Sequence, residues 1–138
     1  MMADRFEMKK QKPHIEKTAQ KYNLQLLILI GSYGQAHFRP GVSDIDLAFL
    51  SDKCITPEQQ LQLIMDLALL FQSDKIDLIN LQTSSGLMKF EVVTKGRLLY
   101  EKEQGDFYRY SLYAQRYYYD TKKFRDQRKA YLQSRLEG

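Results

Sequence analysis

The sequence predicts an α/β (α+β) fold, with a short mixed sheet flanked by helices and a long helix at the C-terminal end. Three observations predict it. Apolar runs at residues 26–30 and 47–50 are bounded by turn and polar residues, as buried strands are. A helix-start signature, Thr56-Pro57-Glu58-Gln59, separates the second run from a third at residues 75–81. Residues 107–135 contain neither Gly nor Pro and read as one helix.

The elements follow in order. Residues 3–21 read as a helix whose apolar edge is Ile15, Ala19 and Tyr22. Pro13 fits a helix interior poorly and sets the expected start of the ordered part near Lys12. Strand one is expected at residues 25–30 and strand two at residues 44–50. A helix starting at the Thr56 cap should run to about Phe71. Its expected buried stripe is Leu61, Ile64, Met65, Ala68 and either Leu70 or Phe71, with Met65 counted as core. Strand three is expected at residues 75–81. A right-handed crossover would make strands two and three parallel neighbours. Thr83-Ser84-Ser85 caps a helix at residues 86–95, Gly96 stops it, and residues 97–100 add a short extended segment. Lys89 and Lys95 read first as a solvated helix face, and second as phosphate or partner contacts.

The final helix holds seven of the ten tyrosines. Tyr110, Tyr117, Phe124 and Tyr131 recur every seven residues, with Tyr113 between, which puts an aromatic stripe on one face. At ~1.5 Å per residue the helix is about 40 Å long, too long to lie entirely over so small a core. Its beginning should pack on the core and its end should serve as partner surface, because tyrosine suits a face that is part apolar and part wet.

Composition sets the outer limits. A chain of 138 residues is expected to form one domain over residues 1–138, with a core at about 14–102 and a helical extension at about 107–135. It is 43% hydrophobic and 28% charged, which suits a globular protein rather than a disordered one. Its single cysteine, Cys54, cannot close an internal disulfide. No apolar run approaches the ~20 residues of a membrane span. The charged stretch MMADRFEMKKQKPHIEK does not read as a secretory signal. A reducing, cytoplasmic setting is therefore expected. From residue 106 onward eight Lys or Arg face four Asp or Glu, which accounts for the whole net charge of +4. These charges are interleaved, which favours a solvated face or a docking surface over direct nucleic-acid binding.

The chemistry gathers in LQLLILIGSYGQAHFRPGVSDIDLAFL, residues 24–50. Gly31 permits close backbone approach to a ligand. Ser32, at the start of a short helix, would offer a hydroxyl and free N–H groups to an anion. Residues i and i+2 of a strand share a face, so Asp44 and Asp46 stand side by side while Ile45 and Leu47 point the other way. Two adjacent carboxylates suit a hard cation such as Mg²⁺, which commonly binds one or two carboxylates together with substrate phosphates. Asp77, near the start of strand three, can converge on that pair as a third metal ligand or a proton acceptor, or it can be a solvent-exposed strand end. The loop at residues 33–43 adds Arg39, a candidate triphosphate contact, and His37, a weaker candidate for proton transfer. His14 has no second ligand at helical spacing and reads as a surface residue.

Gly31-Ser32 followed by Asp44-x-Asp46 resembles the Gly-Ser…Asp-x-Asp signature of polymerase-β-type nucleotidyltransferases. The segments KIDLINL (75–81) and VVTKGRLLY (92–100) narrow the resemblance to the minimal nucleotidyltransferases that act as antitoxins to HEPN toxins. The likeness covers about residues 14–102. Two departures lie in the loop: eleven residues separate Ser32 from Asp44 where the family usually has ten, and Ala36 stands where it usually has Gly. The resemblance implies a small nucleotidyltransferase fold, ATP as substrate and Mg²⁺ as cofactor. It implies Gly31 and Ser32 as nucleotide-binding residues, and Asp44, Asp46 and Asp77 as catalytic and metal-binding residues. It further implies transfer of AMP to a hydroxyl, with tyrosine expected, of a partner HEPN ribonuclease toxin. Two other readings stand beside it: a nucleotidyltransferase acting on RNA or a small molecule, and a noncatalytic antitoxin that neutralises by binding alone.

Overall fold

The computed structural model of the chain describes residues 2–31 and 44–137. Its elements are α1 (Met2–Lys21), β1 (Leu24–Ile30), β2 (Ile45–Ser51), α2 (Pro57–Phe71), β3 (Ile76–Asn80), α3 (Gly86–Lys95), β4 (Arg97–Glu101) and α4 (Asp106–Glu137). The strands form one sheet in the order β3-β2-β1-β4. β1 pairs antiparallel with both β2 and β4, and β2 pairs parallel with β3. This is the expected mixed sheet with flanking helices, and β2–α2–β3 is the expected parallel unit.

Alternation along the strands sorts side chains to two faces. On one face Leu27 and Leu29 of β1 meet Ile45, Leu47 and Phe49 of β2, Ile15 and Ala19 of α1, and α2. On the other, Leu26 and Ile28 meet Ala48, Val92 of α3, and Tyr110 and Ala114 of α4. The apolar edge read for the first helix, Ile15, Ala19 and Tyr22, is buried as expected.

Helix α1 runs through Pro13 instead of starting near it. The ring sits at an exposed position, where water can satisfy the carbonyl that loses its N–H partner. The stripe of α2 is also corrected. Leu63, Leu67 and Phe71 are buried, whereas Leu61 and Met65 are 58% and 59% exposed. Nearly every position from 61 to 71 is apolar, so two stripes at i, i+4 spacing compete, and periodicity does not choose between them. The capping box at its start is present as read, with Thr56 and Gln59 bonded reciprocally.

Gly96 ends α3, but not as a left-handed cap, since its φ and ψ are −77° and 159°. A side chain there would collide with Ile28 Cγ2 and the Val92 carbonyl. The glycine thus lets the end of α3 press directly onto β1. Lys89 is not part of a solvated face: it is buried, and its ammonium donates to the Ser84 carbonyl at 2.5 Å. Burial pushes its pKa below the usual lysine range.

Helix α4 divides as its length requires. Asp106, Tyr110 and Ala114 are buried, and Tyr118 stacks on Phe90 of α3 with ring centroids 4.3 Å apart. Arg125 lies over the other side of that ring at 4.3 Å and donates to the Tyr118 carbonyl. Beyond it Phe124, Tyr131, Leu132 and Leu136 are exposed. Of the heptad aromatics only Tyr110 is core. No helix among the described residues is long and apolar enough to cross a membrane.

Candidate active site

The start of β2 lies between β1 and β3, and register fixes what stands there. Ile30 of β1 is opposite Asp46, and Asp46 is opposite Asp77 of β3. The Ile45 amide donates to the Lys75 carbonyl at 2.8 Å, holding the two parallel strands together at this end. Asp46 and Asp77 are therefore direct neighbours, as parallel pairing requires of their positions. Asp44 stands one residue before the strand and is exposed. Asp46 is half-buried and Asp77 exposed.

Gly31 takes φ +84°, and a Cβ there would lie 2.8 Å from Asp46 Oδ2. The sequence reading has Gly31 approach a ligand; the close approach in the structure is to the Asp46 carboxylate. Both the left-handed backbone and the contact exclude an ordinary side chain. Ser32, Ala36, His37, Arg39 and Ser43, with the rest of the loop at 32–43, lie outside the described residues.

Asp46, Asp77 and Ile30 line a groove of about 480 Å³ whose other wall is α3, through Ser85, Met88, Glu91 and Lys95. Nothing in the local pattern around Met88 and Glu91 places them here, because only the crossing of α3 over the sheet brings them in. Ser85 caps α3 by accepting from the Met88 amide at 3.1 Å. Lys95 pairs with Glu91 at 2.6 Å. His14 is elsewhere. It lines a groove between α1 and α2, with Gln11, Lys17 and Asp66, on the face of the sheet away from the aspartates.

Burial first, then the charges of Asp77 and Asp44, raises the Asp46 carboxyl above the usual carboxylate range. That ordering describes a carboxylate partly withdrawn from water and facing two of its own kind. Among the described residues no group of three His, Cys, Asp or Glu is gathered closely enough to form a protein-only metal cage. The donors are hard oxygens that no cation among the described residues pairs with, the type that binds Mg²⁺ jointly with phosphates and water.

Comparison with known proteins identifies the family. The family model described as polymerase beta, nucleotidyltransferase, matches residues 13–105. The protein adenylyltransferase MntA of Shewanella oneidensis is 36% identical over 83 residues, 60% of this chain and 58% of that protein. The chain thus aligns with less than two thirds of the length of that relative. Among solved structures, a toxin–antitoxin complex with AMP-PNP contains a chain that is 27% identical, with a TM-score of 0.70 over 91% of this chain and 98% of that one. A complex of tri-AMPylated Shewanella oneidensis HEPN toxin with its MNT antitoxin gives 25% identity and a TM-score of 0.68, covering 94% and 98%.

Proposed function

The chain belongs to the polymerase beta nucleotidyltransferase family, and from that premise we propose that it is an antitoxin-type protein adenylyltransferase. It moves AMP from ATP to a hydroxyl, with tyrosine the proposed acceptor, of a partner HEPN ribonuclease toxin and so neutralises it. The observation that carries this reading is the pairing of Asp46 with Asp77 beside Gly31, at the floor of a groove open to solvent. The names of its relatives supply the acceptor: one is a protein adenylyltransferase, and another is seen with an AMPylated HEPN toxin.

Asp44 and Asp46 are the proposed ligands of the Mg²⁺ that accompanies ATP, and Asp77 would hold a second cation on the acceptor side or act there as the base. When bound, the cation neutralises the phosphates and the pyrophosphate that departs. Gly31, and Ser32 in the loop after it, would hold the phosphates. Asp77 is exposed on β3, the edge strand next to β2, and is proposed to serve the acceptor hydroxyl. A phenol has pKa ~10 and needs help to ionise at neutral pH, and Asp77 would take its proton. The phenol oxygen then bonds to the α-phosphorus as the bond to the pyrophosphate oxygen breaks. The product carries a bulky anion, which repels RNA from a ribonuclease site by charge and size. The exposed end of α4, aromatic and basic, is the proposed docking surface for the toxin.

The test is to incubate the chain with ATP, Mg²⁺ and the product of the neighbouring gene, tested as the HEPN partner, then to weigh that product. A mass gain of one or more AMP units, dependent on ATP and on Asp44, is expected. A partner that is neutralised but unmodified would sink the catalytic reading and leave binding alone as the mode of action.

A further inference from the structure

Helix α3 runs across the groove in a definite direction. It leaves β3 through Asn80 and Leu81, and its last turn presses on β1 at Gly96 before the chain enters β4. Adjacent strands are ~4.8 Å apart, so β3 and β1 are separated by about 10 Å. A ten-residue helix rises about 15 Å and spans that distance. Ser85 therefore stands at the β3 end of the groove that Asp77 also lines, and Lys95 at the β1 end, next in sequence to the Gly96 that presses on Ile28 and in the groove that Ile30 lines. The proposed roles run the same way, with Asp77 the proposed proton acceptor and Gly31 part of the proposed phosphate turn.

Charge along this groove is uneven. Asp46, Asp77 and Glu91 are acidic, and Lys95 is the one cation among the described residues that line it. A triphosphate entering such a groove meets three carboxylates and needs positive charge where its own negative charge is densest. Lys95 is available to supply it. Its pair with Glu91 is an i, i+4 surface pair, with the side chains 69% and 40% exposed. Such an exposed pair is weak and opens readily when a stronger anion arrives.

We propose that Lys95 is a nucleotide-positioning residue that binds the β- and γ-phosphates of the substrate, and that Glu91 holds its ammonium in the groove until the nucleotide takes it. This rests on the reading that the groove takes a nucleoside triphosphate. It adds a residue from the far wall, remote in sequence from the Gly-Ser turn, and it makes affinity depend on the length of the phosphate chain.

The experiment is calorimetric titration of the full chain with AMP-PNP and with AMP, both in the presence of Mg²⁺. Lys95→Met should weaken AMP-PNP binding roughly tenfold, the scale of a lost charged hydrogen bond, and change AMP binding less than about twofold. Lys95→Arg should restore most of the affinity. Glu91→Gln, which frees the ammonium, should leave AMP-PNP binding equal or tighter. Lys123→Met, on the exposed part of α4, should change nothing. The exposure of Lys95 keeps folding out of the comparison, and coincident melting curves would verify that. Unchanged AMP-PNP affinity in Lys95→Met overturns the proposal, as does an equal loss for AMP and AMP-PNP. Either result with a wild-type chain that binds AMP-PNP leaves the adenylyltransferase reading standing. A wild-type chain that binds no AMP-PNP overturns both.

Discussion

The two faces of the sheet put the same strand to opposite uses. Toward α1 and α2, β2 presents Ile45, Leu47 and Phe49, each at most 1% exposed. Toward α3 and α4 it presents Asp46, then Ala48. The first face is closed from end to end. The second is closed only where Ala48, Val92, Tyr110 and Ala114 meet, and it opens at the start of the strand into the groove. A one-residue alternation therefore separates what holds the fold from what carries chemistry, so mutations on the two faces should produce different losses.

The largest effect is expected on the open face. Asp44→Asn combined with Asp46→Asn should abolish AMP transfer at saturating Mg²⁺, with the far-UV circular dichroism spectrum and the melting transition retained. Retained transfer would refute the assignment. Collapse of the fold would refute the division between the faces.

Next is Asp77→Asn. Loss of a general base typically costs ~10²–10⁴-fold in rate. Single-turnover transfer should fall by that amount while Mg–ATP affinity stays near wild type. Turnover equal to wild type would make Asp77 an ordinary strand-end residue.

The closed face should give the reverse pattern. Leu67 is fully buried in α2. Leu67→Ala should cost ~2–5 kcal/mol in a urea titration and leave the rate of the folded fraction unchanged. Leu61→Ala, on the exposed side of the same helix, should stay within about 0.5 kcal/mol. Similar costs at the two positions would mean that a partner or another copy covers the Leu61 side in solution.

A smaller effect is expected at α4. Removing the chain after Tyr119 takes away the Arg125 cover from Tyr118 but spares Tyr110, Ala114 and the Phe90 stack. Toxin binding should weaken roughly tenfold or more and lose part of its salt dependence, with ATP affinity nearly unchanged. A truncated chain that no longer folds would place the exposed end in the stability of the core.

The sheet was legible because its strands are short apolar runs with clear punctuation. The parallel crossover made β2 and β3 neighbours and let Asp77 converge on the Asp44–Asp46 end; the register that pairs it with Asp46 is read only from the structure. The Gly-Ser…Asp-x-Asp pattern and the family it indicates were legible for the same reason, since the chemistry is local in sequence. What sequence did not reveal depends on how helices rotate and cross. The stripe of α2 was read out of phase because both of its candidate faces are apolar. Lys89 is buried by the packing of α3 rather than by any pattern of its own. Glu91 and Met88 reach the groove only because α3 crosses the sheet from β3 to β1.

The last and smallest prediction concerns the cost of the open face. The Asp46 carboxyl is raised above its usual range by burial, then by Asp77, then by Asp44. A group whose folded pKa is raised stabilises the protein below its unfolded pKa, ~3.9 for aspartate, and that contribution is lost as pH rises through the folded value. At neutral pH and without metal, the ionised Asp46 is therefore a burden on the fold. Asp46→Asn keeps the shape and removes the charge. The metal-free variant should melt slightly above wild type at pH 7, and the gap should narrow as pH falls through the raised folded pKa and close below the unfolded value, ~3.9, where the wild-type carboxyl is protonated in both states. Added Mg²⁺ should raise the wild-type melting temperature more than that of the variant, because only the wild type retains the full carboxylate set. A variant that melts several degrees below wild type at pH 7 would show that the Asp46 carboxylate makes a stabilising contact, and that this face is not separated from the fold in the way its partner face implies.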